Sequence, residues 1–421
     1  MLGLEKTRLL REIEEIVLRA KRELEEPGTI TSSRQLNSSW FIDGSYAISE
    51  RQGSFVSALS VASLGVVSKK LVEGLPGAKH PLLHILIPKF YGETRASSIM
   101  GSLELIEGIR ALRRNIEAVV FDGSYLASLL SGYGPLYDSI AQLQSRLKNH
   151  QIVLREILEG ENVDETINSA TDAFIEKACK EAELSKLYKI AHAFLQSIYD
   201  FADSIYSSLV QHGVDMYVDK QLLIDFSTAF VENNLYLRLL AKLLLSAEEN
   251  NATPVWVAKE TASRFLSDKL NVRSWLNDTV LLEWVWHNRE KVYLVLDESS
   301  RLKSLKPVTP PQVPVASQDT IEHAYRFSRF TVVYFKLSKF GPVLQMTFPS
   351  DLVARDVLED VLATMSAFAD ERSGYPKPLS LVHHKALIQQ GLVDVLATRL
   401  WQNSSGVFRA ILSPLGREFV L

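Results

Sequence analysis

The sequence predicts an α/β fold: a mixed five-stranded sheet flanked by helices, with a large helical insertion. Three observations carry this. Short apolar runs bounded by Gly or Pro recur between Phe41 and Ser124, broken by one helix-like stretch. A block rich in Ala, Lys, Glu and Leu then spans 136–250 without a strand-like run. Strand-like runs resume at Pro254. The chain therefore divides into an N-terminal helix and lead-in (1–40), a first part of the core (41–135), the insertion (136–250), and a second part with the C-terminal region (251–421). Its 421 residues suggest two or three domains as a length-based prior.

Leu4 to Glu26 reads as an amphipathic helix. Leu9, Leu10, Ile13, Ile16, Val17 and Ala20 recur at helical spacing, and Pro27-Gly28 stops it. Such a helix packs on its own core or meets a partner; the core is the simpler expectation. Trp40-Phe-Ile42 is a short apolar run, read as a buried strand. Ser54 to Val67, rich in Val, Ala and Ser, reads as a second strand reached through Arg51-Gln-Gly53. Pro81 to Pro88 reads as a third, Ser97 to Arg114 as a helix, and Ala118 to Phe121 as a further strand. The order is strand with Asp43, strand, strand, helix with Glu104, strand with Asp122. That order is the connectivity of a ribonuclease H-like core, in which acids meet at one sheet edge.

Both Phe41-Ile-Asp-Gly-Ser45 and Phe121-Asp-Gly-Ser124 place Asp-Gly-Ser directly after an apolar run. Asp-Gly alone is a turn signal. Repeated at two strand ends, it also fits a pair of metal-binding carboxylates on rigid elements, with Gly permitting close approach. At about 100° per residue, Gly101, Leu105, Gly108 and Leu112 share one helix face, with Glu104 at its margin. Glycines there would let the helix lie close to the sheet and carry Glu104 toward the strand ends; a surface glutamate is the plain alternative. Glu107, near Arg110 and Arg114, reads as a solvated ion-pair partner. Asp43, Glu104 and Asp122 are thus the candidate ligands of a divalent metal used in phosphodiester hydrolysis. Two ions would activate water and stabilise the leaving oxygen, and oxygen with imidazole ligands suits Mn²⁺ or Mg²⁺.

Composition excludes other chemistry. A net charge of −4 is wrong for a protein holding nucleic acid by its general surface field, so phosphate contact must be local or metal-assisted. A single cysteine, Cys179, excludes an intramolecular disulfide and a cysteine zinc cluster. No apolar run reaches the roughly 18 residues of a membrane span, and Met1-Leu-Gly-Leu-Glu-Lys6 lacks a signal-peptide pattern. A cytoplasmic protein with no membrane partner is expected.

The insertion reads as helices over Leu136 to about Gly160, Asp164 to His212 and Leu222 to Glu249, with an antiparallel long pair. His150, His192 and His212 lie in it, none at a spacing that pairs two on one face. Pro254 to Ala258 reads as a strand ending at Lys259. Thr261 is the expected cap of a helix Ala262–Leu270, and Asp278 a further cap. Lys291 to Leu296 reads as a strand, and the proline-rich Ser304 to Ser317 as a connector. Arg301, Lys303 and Lys306 make that region locally basic. Phe330 to Leu337 and Pro342 to Phe348 read as paired strands, Asp351 to Ala369 as a helix. A helix Leu379–Gln390 carries His383 near its start, and Gly406 to Leu421 closes as a strand or hairpin.

Five segments in order resemble the NurA family: Ile42-Asp-Gly-Ser45, Ser98-Ile-Met-Gly-Ser-Leu-Glu104, Phe121-Asp-Gly-Ser124, Pro254-Val-Trp-Val-Ala-Lys259, and Gly374-Tyr-Pro-Lys-Pro-Leu-Ser-Leu-Val-His383. Glu260 directly after Lys259 departs from the family spacing, and His383 and His384 both compete for the histidine position. The resemblance implies a catalytic set of Asp43, Glu104, Asp122, Lys259 and His383, with His383 joining the three acids on the metal. It also implies Mn²⁺ preference, 5′-to-3′ exonuclease and single-strand endonuclease activity on DNA, a homodimer, and action with a HerA-like hexameric ATPase in DNA end resection. Alternatives are another ribonuclease H-like nuclease, or a non-catalytic structural partner of an ATPase.

Overall fold

A computed structural model describes residues 2–131, 133–147, 161–181, 187–259, 261–270, 276–298, 305–311 and 316–416. The expectations for His150, Glu260, Arg301 and Lys303 fall outside them. The strands are β1 (Gly28–Thr29), β2 (Ser38–Glu50), β3 (Phe55–Val67), β4 (Lys70–Pro76), β5 (Leu82–Leu86), β6 (Ala118–Asp122), β7 (Thr253–Ala258), β8 (Val292–Leu296), β9 (Phe330–Lys336) and β10 (Leu344–Pro349). They form one ten-stranded sheet in the order β1-β8-β9-β10-β7-β6-β2-β3-β4, with β5 sharing the outer edge of β3. The expected five-stranded sheet is therefore half of what forms. β2, β6 and β7 run parallel, and the other pairings are antiparallel, so the mixed character is as expected.

Period-two alternation makes the sheet apolar on both faces. Trp40, Ile42, Val119, Phe121 and Trp256 enter one cluster; Phe41, Val120, Val255 and Val257 enter another. The first face is covered by α2 (Gly92–Leu112) and, beyond it, by α4 (Tyr133–Arg146), α5 (Glu161–Lys180), α6 (Leu187–Gln211) and α7 (Lys220–Glu249). Between α2 and α4, α3 (Tyr125–Leu129) continues from the end of β6. The helical block is tied to α2 by a buried ion pair, Arg95 of α2 with Glu232 of α7 at 2.8 Å, and its own helices are linked at the surface by Arg238 of α7 and Asp172 of α5 at 2.6 Å.

The second face is covered by α11 (Arg355–Ala367) and α12 (Lys377–Ala386), numbered after α8 (Phe265–Lys269), α9 (Asp278–Val285) and α10 (Gln318–Tyr325). The N-terminal helix α1 (Leu2–Glu23) buries Ile13, Val17 and Ala20 against Leu270, Leu276 and Leu281, so its apolar stripe serves this chain's own core. The chain ends in α13 (Gln390–Asn403) and α14 (Gly406–Ile411). The strand or hairpin expected from Gly406 is thus a short helix in its described part.

Other local expectations are corrected by tertiary contacts. The helix expected from Ala262 begins at Phe265, with Arg264 rather than Thr261 at its cap position. The Thr261 hydroxyl instead accepts the Ser263 N–H. Asp278 follows the true cap of α9, Asn277, and serves a different helix. Its fully buried carboxylate accepts the N–H groups of Leu266 and Ser267 in α8 and the hydroxyls of Ser263, Ser267 and Tyr334. Glu107 is buried rather than solvated. It accepts hydrogen bonds from the Ser63 hydroxyl at 2.7 Å and the Trp40 indole N–H at 3.3 Å, with Arg110 beside it.

Candidate metal centre

The ladders set the geometry. β2 and β6 stay paired only to Ile42 and Phe121, after which β6 ends while β2 runs on to Glu50. Asp43 therefore lies within a strand, at the level where its parallel neighbour stops. Asp122 closes β6 opposite Val257, and Lys259 follows the last residue of β7. Both acids thus stand where parallel strands present their carboxyl ends, the usual ligand position of such sheets. The two Asp-Gly-Ser copies are not equivalent. The first is continuous strand. In the second the chain turns at Gly123, whose φ of 129° is a region that favours glycine.

Alternation decides the direction of each side chain. Ile42 and Phe121 point to the α2 face, so Asp43 and Asp122 point to the α12 face. There the last turn of α12 delivers His383, rather than the helix start expected from sequence, because α12 ends at Ala386. Leu379, Val382 and Ala386 pack α12 onto Phe41, Ala62 and Leu64, and the Ser45 hydroxyl accepts the N–H of Ile388. The His383 Nδ1 lies 2.8 Å from Asp43 Oδ2 and 3.9 Å from Asp122 Oδ2. His384 is exposed and turned away, its ring centroid 5.9 Å from that of His383. Of the two histidines, the fold brings His383 to the acids.

Glu104 arrives from the opposite face. A Cβ at Gly44 would lie 2.1 Å from Met100 Sδ and 2.8 Å from Glu104 Oε1, so the missing side chain lets α2 settle on β2 there. The Gly44 N–H, beyond the end of β6, donates to the Glu104 carboxylate. Of the glycines of α2 itself, Gly108 meets Phe121 of β6, the close approach to the sheet expected of it, together with Leu243 of α7, whereas Gly101 meets Tyr236 of α7. The close approach expected of Gly101 is made to the helical block, and Gly44 supplies the one that matters for Glu104.

The electrostatics are those of crowded acids. Burial, then the charge of Asp122, pushes Asp43 up to about 6, against the opposing hydrogen bond from His383. Burial, with the charges of Asp43 and Asp122, holds Glu104 well above the usual carboxylate range. Lys259 Nζ pairs with Asp122 Oδ2 at 2.6 Å and sits 5.1 Å from the Tyr375 ring centroid. Burial and the two aspartates keep the Tyr375 phenol protonated, and its buried hydroxyl has no hydrogen-bond partner among the described residues. Tyr375 lies within the motif ending at His383, yet sequence reasoning did not select it. The signal was an aromatic held between Gly374 and Pro376 ahead of a helix.

Ligand atoms of Asp43, Asp122 and His383 all lie within 4.8 Å of one another, a spacing that could hold a metal ion. Glu104 stands behind this trio. Two carboxylates and an imidazole suit manganese or magnesium, and a cation there would offset both the burial and the Asp122 charge that raise Asp43. The residues fit such an ion.

A family model described as the NurA domain matches residues 40–388, from the lead-in to Asp43 to just past His383. The chain belongs to the NurA family. Solved NurA structures share the fold. One crystallised with manganese aligns with a TM-score of 0.62 at 18% identity, covering 96% of this chain and 98% of that one. One bound to dAMP and manganese gives 0.58 at 18% identity over 98% of each chain. The NurA nuclease from Sulfolobus solfataricus gives 0.55 at 14% identity over 96% of each. No curated protein sequence matches the chain. No helix among the described residues is long and apolar enough to cross a membrane.

Proposed function

We propose that this NurA-family chain is a divalent-metal-dependent nuclease that hydrolyses phosphodiester bonds in DNA. The observation that carries the reading is the convergence of Asp43, Asp122 and His383 from two strands and one helix. That a NurA structure binds dAMP and manganese supports the choice of substrate and metal. The path β4-β3-β2-β6-β7, antiparallel then parallel, is read as a ribonuclease H-like core with five further strands added to it.

Asp43, Asp122 and His383 would hold Mn²⁺, or Mg²⁺, with Glu104 completing the set for two ions. A bound divalent ion supplies Lewis-acid charge at the phosphate and a water of lowered pKa. The chain's own groups do the rest. Lys259 offers a cation to a phosphate oxygen and otherwise neutralises Asp122. Tyr375, kept protonated beside Lys259, would offer its unpartnered hydroxyl as a donor. His383 orients Asp43 through Nδ1. The activity is a single-strand endonuclease and 5′-to-3′ exonuclease, exerted as a homodimer with a HerA-like ATPase in end resection and double-strand break repair.

Cleavage of end-labelled single-stranded DNA with Mn²⁺ tests this, using wild type beside Asp43→Ala and Asp122→Ala. The wild type is expected to cut and both variants to lose at least about 10²-fold in rate. The position of the label reads out polarity. Cleavage of RNA in hybrids without cleavage of single-stranded DNA would instead favour another ribonuclease H-like enzyme. Silence with both metals, alone and with the ATPase, would favour a structural partner.

A further inference from the structure

Outside the acid cleft, α9 and the tip of the β9–β10 hairpin enclose a recess of about 670 Å³. Its size is that of a pocket for a nucleotide-sized ligand, roughly 300–1,000 Å³. Two large aromatics stand open around it, Trp284 at 44% and Phe340 at 81% exposure. Lys339 Nζ lies 5.7 Å from the Phe340 ring centroid. The one carboxylate in the recess, Glu283, is paired with Lys336 at 2.7 Å, which leaves Lys339 as a local cation in a chain of net charge −4.

Backbone packing relates the recess to the segment that carries Tyr375. Gly341 lines it, and a Cβ on Gly341 would fall 2.7 Å from the Cα of Gly374. Gly374 precedes Tyr375, whose ring lies under Lys259, the partner of Asp122. Open aromatic faces beside a lysine are the physical requirement for stacking unpaired bases while a cation meets the backbone, and such stacking is tolerant of sequence.

We infer that this recess is a stacking site for unpaired bases of the single-stranded DNA that enters the acid cleft. The inference rests on the nuclease reading for its substrate but not for its test. A single-stranded oligodeoxynucleotide carrying 5-iodo-2′-deoxyuridine is irradiated with the full chain in EDTA, and crosslinked peptides are mapped by mass spectrometry. The same oligonucleotide, fluorescently labelled, gives Kd by polarisation for wild type, Trp284→Ala and Phe340→Ala. Crosslinks at Trp284 or Phe340 are expected, with Kd weakened about fivefold or more per aromatic removed. Crosslinks confined to the acid cleft, with unchanged Kd in both variants, would overturn the inference. So would unchanged DNA affinity with loss of self-association in Phe340→Ala by light scattering, which assigns the recess to a second copy of the chain. Because no metal or cleavage is involved, crosslinking at the recess by a protein silent in the Mn²⁺ assay would uphold this site while refuting the nuclease reading.

Discussion

Asp43 sits between a second carboxylate and an imidazole, with its own carboxyl buried. Its folded pKa, about 6, lies above the ordinary 3.8. Without metal, its contribution to stability is therefore fully present below about pH 4 and is lost as pH rises through 6. Asp43→Asn should stabilise the metal-free protein at pH 7.5 by about 1–3 kcal/mol, read by urea denaturation in EDTA, while abolishing cleavage. A destabilised, still active variant would contradict the assignment. Metal reverses the sign, since it needs the carboxylate. Mn²⁺ affinity should fall about tenfold or more between pH 7 and pH 5, as Asp43 takes up its proton; a flat profile by calorimetry would contradict it. At this scale the sequence was informative for residues that follow apolar runs, such as Asp43, Asp122 and Lys259. It was uninformative for Glu107 and Asp278, whose hydrogen-bond partners lie on elements distant in the chain or behind a turn. It left His383 and His384 unresolved because a helix pattern does not say which face meets the sheet.

Elements are positioned by a few close approaches. Gly44 is one: Gly44→Ala would push a methyl group into Met100 and Glu104. It should cost about 1–3 kcal/mol and displace Glu104, so that both the urea midpoint and the Mn²⁺-dependent rate fall. An unchanged rate would separate Glu104 from the chemistry. Asp278 is another. Asp278→Ala strands the buried N–H groups of Leu266 and Ser267 and the Tyr334 hydroxyl, and should cost about 3 kcal/mol or more. Proteins that remain folded should keep wild-type Mn²⁺ affinity, because Asp278 serves the junction of α8 and α9 rather than the acids. Apolar runs made β2, β3, β5, β6 and β7 legible. β4 escaped because it is an exposed edge strand with alternating charge, Lys70-Leu-Val-Glu73, packed on one side only. The end of α12 escaped because it is set by tertiary packing against β2 and by the Ser45 contact, which no local signal encodes.

For the whole molecule, the sheet is an α/β layer with helices on both faces, and the candidate metal site lies where the parallel strands β2 and β6 part. At that location side chains approach from both faces: His383 from the α12 side and Glu104 beside Gly44 from the α2 side. The helical block packs into the same apolar cluster as α2, so its long helices stiffen the element that carries Glu104. The mild negative charge of the chain predicts that DNA binding depends on metal and local cations, with salt sensitivity set by few phosphate contacts. The most direct test of the central claim is a Mn²⁺ titration followed by calorimetry at pH 7.5, on wild type, Asp43→Ala, Asp122→Ala and His383→Ala. Saturable binding in the wild type, lost in both aspartate variants and weakened about tenfold or more in His383→Ala, with circular dichroism unchanged, is the predicted result. Equal Mn²⁺ binding by wild type and the Asp43→Ala variant would contradict the account.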